Sequence, residues 1–139
     1  MELSSDDIRR LEGAGYHRNQ FSVLNNHEIR LMNVDGRCYF YSLNEGKCQV
    51  YKKRPLGCRL YPVVYSDDEG VMVDKLCPMG HTVSKRESRT KGSVLRKLLR
   101  KIVEERRCAM IRYQRKSVQM RTEQIKEHMK TGGVNNGTS

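Results

Sequence analysis

Residues 36–62 read GRCYFYSLNEGKCQVYKKRPLGCRLYP, and residues 75–81 read KLCPMGH. Together they place Cys38, Cys48, Cys58 and Cys77 within 40 residues that are rich in tyrosine and poor in aliphatic bulk. Four thiolates are what a tetrahedral zinc ion or a four-cysteine iron–sulfur cluster requires. Nine residues separate the first pair, nine the second and eighteen the third. None of these is the two-residue spacing of a zinc knuckle, so the ligands must come from separate strand ends and turns that the fold brings together.

The composition around this stretch asks for a staple. Of 139 residues 37% are hydrophobic, with no Trp and two Phe. A region of about 80 residues with so thin a core gains its stability from metal or disulfides. The segment MELSSDDIRR puts acid where a signal peptide would carry basic charge, and no run approaches a membrane span. The expected compartment is therefore cytoplasmic, where thiols stay reduced, and five cysteines cannot all pair within one molecule. Metal ligation is favoured over disulfides on both counts.

Charge divides the chain. Residues 1–83 hold 11 Lys/Arg and 11 Asp/Glu, whereas residues 84–139 hold 16 and 5, so the whole excess of +11 lies in the second part. In the first part, LSSDDIRRLEGAGY reads as a helix capped by Ser4 or Ser5, with Asp6 and Asp7 at the positive end of its dipole. Gly13 or Gly15 would end it in the left-handed region. Residues 28–32, 38–41 and 48–51 read as strands with turns at Asp35-Gly36 and Glu45-Gly46. Pro55 fixes a turn and Pro62 ends the following strand. Residues 63–65 and 71–73 form a hairpin around Asp67-Asp68-Glu69-Gly70 that delivers Cys77. In the second part Val94, Leu95, Leu98, Leu99, Ile102 and Val103 recur at helical spacing, followed by Ala109, Met110 and Tyr113. One long helix, or two joined by a kink, is expected to about Lys130.

The fold class is thus α+β: a small cysteine-rich, metal-stapled domain at 1–83, a basic helical extension at 84–130 that packs partly back on it, and a flexible tail at 131–139. Cys38, Cys48, Cys58 and Cys77 are the expected metal ligands. A four-thiolate zinc site or oxidised four-iron cluster carries about −2 charge, and Arg54 and Arg59, flanking Cys58, are the expected compensators. His81 reads as a capping or surface residue, and Cys108 as a packed helix cysteine. Tyr39, Tyr41, Tyr51, Tyr61 and Tyr65 read as cover for a small sheet. Two other roles stay open: a zinc-stapled nucleic-acid module, and an acidic partner for the basic helix. No phosphate-cradling loop, nucleophile elbow or paired-histidine zinc helix is present.

One string is specific enough to compare. Gly36-x-Cys38-x-Phe40, then Cys48-x-Val50-Tyr51-x-x-Arg54-Pro55-x-x-Cys58-Arg59-x-Tyr61-Pro62 and a later cysteine, resembles the YkgJ-type cysteine-cluster family of zinc- or iron-chelating domains. The resemblance covers roughly residues 3 to 80. It implies an iron–sulfur cluster, preferred here, or zinc as cofactor, with a structural or redox role. Some members resemble oxidoreductases or protein lysine N-methylases, so the resemblance leaves enzymatic activity open. Members carry further cysteines, with an adjacent pair, ahead of the helix that SSDDIRRL matches, and this sequence has none there. Either the true start lies upstream of Met1, or the four later thiols suffice.

Overall fold

The computed structural model describes residues 1–131, and the tail expected at 131–139 lies outside the described residues except for Thr131. The chain forms two compact units, Met1–Arg106 and a second beginning at Arg107. The first is α+β, built from short antiparallel hairpins and small helices, and it includes the start of one long helix. No helix is long and apolar enough to cross a membrane.

The chain opens with α1 (Ser5–Glu12) and α2 (Arg18–Phe21). Ser4 caps α1: its hydroxyl accepts from the Asp7 N–H, while the Asp7 carboxylate accepts from the Ser4 N–H in return. Gly13 is still right-handed and Gly15, at φ 96°, makes the left-handed turn out of the helix. Two hairpins follow, β1 (Ser22–Asn25) with β2 (Glu28–Leu31), and β3 (Asn33–Val34) with β4 (Arg37–Cys38). A third pairs β5 (Tyr41–Ser42) with β6 (Lys47–Cys48). The expected strand 38–41 is thus broken in two, because Phe40 turns inward and is fully buried. The β1 strand has no strong turn signal in sequence. Its turn uses Asn26 and His27, both at positive φ, where an Asn-Gly pair would be the usual choice.

After β6 the backbone makes a 3₁₀ turn at Tyr51–Lys53 and enters α3 (Leu56–Leu60). A helix therefore replaces the strand expected before Pro62, with Pro55 as its N-cap. The reason lies in α1: the Asp7 carboxylate accepts the otherwise orphaned Leu56 N–H at 2.8 Å and so starts the helix from outside. The hairpin β7 (Val63–Ser66) with β8 (Gly70–Val73) is as expected, closed by Gly70 at φ 72°. The expected single sheet is absent among the described residues: there are four separate two-stranded ladders.

The last element is one unbroken helix, α4 (Lys85–Thr131). Leu95, Leu98 and Ile102 are buried against Leu60 and Val63, which carries the first compact unit to Arg106, beyond the compositional break at residue 84. Gly92 is buried, and the position takes glycine because a Cβ there would come within 2.7 Å of Val71 Cγ1. Ser5 donates to both Glu105 oxygens, and Arg106 pairs with Glu2 at 2.9 Å and Glu28 at 3.3 Å. A second cluster, Leu3, Ile8, Leu11, Phe21, Phe40 and Val50, forms the other half of the core. In the second unit, Arg107–Thr131 is exposed throughout apart from the half-buried Cys108 and Ser117.

Asp7 is 1% exposed, and every contact to it comes from a donor. Oδ2 accepts from the Ser4 N–H and Oγ, and Oδ1 accepts from Leu56 N–H and the Arg10 guanidinium. An asparagine there must turn its amide hydrogens toward two of those donors. Asp7→Asn is therefore expected to cost about 2–3 kcal/mol, read as a lower urea midpoint at unchanged slope. A loss under about 0.5 kcal/mol would contradict this role.

Candidate metal centre

The thiols are positioned by the elements just described. Cys38 ends β4 opposite Asn33, and Cys48 ends β6 opposite Tyr41. Both side chains are half-buried and pack against the Phe21–Phe40 cluster. Cys58 is carried by α3, whose first N–H is held by Asp7. The preceding turn is held from α1 as well, since Arg10 donates to the Lys53 and Arg54 carbonyls, each at 3.3 Å. Gly57 leaves room for the Met1 thioether: a Cβ there would lie 2.7 Å from Met1 Sδ, and that sulfur is 3.7 Å from Cys58 Sγ.

These restraints bring Cys58 within electrostatic reach of Cys38 and Cys48. Burial is the main cause that pushes the Cys58 thiol up, from an ordinary 9.0 to about 11. Negative charge on Cys38, Cys48 and Asp7 adds to it, and the Met1 amino group opposes. Cys77 lies against the Tyr61 hydroxyl. Tyr61, the residue that closes α3, is pushed up to about 12 by desolvation, then by its hydrogen bonds with Asp74 and Cys77. Among the described residues no three His, Cys, Asp or Glu side chains lie close enough together to hold one metal ion.

Arg54 and Arg59 are directed at the backbone near α3. Arg54 donates to the Tyr51 carbonyl at 2.6 Å and lies 3.9 Å above the Tyr51 ring, and Arg59 donates to the Lys52 carbonyl at 3.0 Å. His81 is exposed, with Nδ1 3.0 Å from the Pro78 carbonyl. The tyrosines do less to cover the core than their pattern suggests. Tyr16 and Tyr39 pack edge-on against Phe40, whereas Tyr41, Tyr51, Tyr61 and Tyr65 are all over 40% exposed. In sequence Asp7 reads as a dipole residue, and its grip on Leu56 has no local signal. The capping-box spacing Ser4-x-x-Asp7 was visible, but the partner 49 residues away was not.

A family model described as "CxxCxxCC: Putative zinc- or iron-chelating domain" matches residues 1–78, more than half of the chain. The chain belongs to this family. No curated protein and no solved structure matches it. The string that labels the family is not found in these 139 residues, whose first cysteine is Cys38. The donor chemistry still fits the described chelation: Cys38 and Cys48 stand within electrostatic reach of Cys58, whose Sγ is 3.7 Å from Met1 Sδ, and soft sulfur donors suit zinc and iron.

The raised Cys58 pKa has a pH consequence for the metal-free protein. The folded chain keeps a proton that the unfolded chain gives up near pH 9, so stability is full below about pH 9 and falls as pH rises toward 11. Iodoacetamide should accordingly modify Cys58 slowly at pH 8, with a rate that climbs to a midpoint near 11. A midpoint at or below 9 would contradict the burial described here.

Proposed function

We propose that the protein holds an iron–sulfur cluster through Cys38, Cys48 and Cys58, with Cys77 as the fourth thiolate. The observation that carries this reading is the spacing of the thiols: Cys38 and Cys48 are near enough to help push the Cys58 thiol up, yet among the described residues no three His, Cys, Asp or Glu side chains lie close enough to hold a single ion. A tetrahedral zinc ion needs its sulfurs roughly 4 Å apart. An iron–sulfur core is itself wider than an ion and spreads its cysteine ligands accordingly. Cys77 is a reasonable fourth ligand because it rests on Tyr61, three positions after Cys58 and directly following α3.

When bound, such a cluster supplies one-electron transfer or a structural staple. The chain's own residues do the rest. The Asp7–Arg10 grip fixes α3 and with it Cys58. Arg54 and Arg59, pinned on neighbouring carbonyls, offset the negative charge of the centre. Phe40 and Val50, both buried, keep water from the side on which Cys38 and Cys48 pack. The reading puts the protein in the cytoplasm, where the thiols stay reduced. The second unit supports a separate contact with a phosphate backbone or an acidic partner, because its exposed helix carries seven Lys/Arg against two Glu between Arg107 and Thr131.

Anaerobic purification tests the cluster. The protein should be brown, with iron and acid-labile sulfide in comparable amounts. Cys38→Ser, Cys48→Ser, Cys58→Ser and Cys77→Ser should each lower iron content by at least about tenfold, and Cys108→Ser should not. Stoichiometric zinc without sulfide would replace the cluster by a zinc site. Undiminished metal in the four serine variants would remove these residues as ligands.

A further inference from the structure

A cleft of about 560 Å³ opens where residues 47–53 pass Ala14 and Tyr16. Lys47, Lys52 and Lys53 line it together with Tyr16, Tyr51 and Cys48, and no carboxylate is among its lining side chains. The charge is local. Residues 1–83 sum to zero, yet residues 46–66 contain five cations and no acid. Lys47 is 3.2 Å from the Glu45 carboxylate, whereas Lys52 and Lys53 have no carboxylate partner among the described residues.

The two unpartnered lysines also stand on fixed backbone. The Lys52 carbonyl accepts from Arg59 at 3.0 Å, and the Lys53 carbonyl accepts from Arg10 at 3.3 Å. Their turn is closed by the Lys53 N–H donating to Val50 at 2.8 Å. With no carboxylate among the cleft's lining side chains, the charge of these lysines is left for an anion to offset. The Arg54 guanidinium stacked on Tyr51 adds positive potential at the rim. The cleft's volume falls in the range of small-molecule sites.

We propose that this cleft binds a small phosphorylated anion, with Lys52 and Lys53 as its principal contacts and Lys47 and the phenol hydroxyls of Tyr16 and Tyr51 as further donors. Compact ammonium charges and hydroxyl donors suit phosphate oxygens. Cys48 forms part of the same wall, so an anion bound here lies beside the proposed metal centre. The binding itself rests on the cleft and not on the metal.

Calorimetric titration of the protein as purified with inorganic pyrophosphate tests this. The wild type should bind one equivalent, and Lys52→Gln/Lys53→Gln should weaken binding by at least about tenfold. Arg115→Gln/Lys116→Gln removes the same charge from the exposed helix and should change affinity by less than about twofold. Equal weakening in both variants, or no saturable binding by the wild type, would overturn the proposal. Metal content, measured on the same samples, should be unchanged in the Lys52/Lys53 variant. A metal-replete protein that ignores pyrophosphate refutes the cleft, and a metal-free protein that binds it refutes only the metal reading.

Discussion

A single buried carboxylate organises the cysteine-bearing part of this protein. Asp7 caps its own helix through Ser4, pairs with Arg10 and takes up the first N–H of α3. A charge removed from water is costly unless every lone pair finds a donor, and here four donors are supplied. That requirement makes the arrangement specific. If α3 slid by one residue, Leu56 N–H would leave Asp7 and Cys58 would leave its neighbours. Arg10 extends the same grip to the two carbonyls ahead of Pro55.

The rest of the first unit follows from thin resources used locally. Four short ladders replace a sheet, each too small to stand alone, so stability must come from the two small apolar clusters and from whatever ties them together. The long helix closes one cluster with Leu95, Leu98 and Ile102, and reaches α1 through Glu105 and Lys101. Cys38 and Cys48 lie along the other. Metal ligation would contribute most where the core contributes least, and it would release the proton that burial holds on Cys58.

Features encoded within a few residues were legible in the sequence. The α1 cap, the turn at Asp35-Gly36, the β7–β8 hairpin and the apolar stripe of α4 each follow from short-range spacing. The family was legible as well, because Cys48 to Pro62 form a long and unusual string. What escaped were consequences of long-range contact. The helix at Leu56–Leu60 depends on a carboxylate 49 residues earlier. Phe40 breaks an expected strand because the core takes it, and Gly92 is required by Val71 across the fold. Four thiols as candidate ligands could be read from the sequence. The placement of Cys77 on Tyr61 could not be, since it depends on how β8 and the following turn meet the end of α3.

X-ray absorption at the iron and zinc edges of the anaerobically isolated protein is the most direct test of a sulfur-held centre at the Asp7-fixed helix start. The account expects an iron edge with a first shell of sulfur and a second shell of iron, the mark of a cluster and not of a single ion. A first shell of nitrogen and oxygen at either edge would contradict it, because none of the converging side chains could then be the ligands.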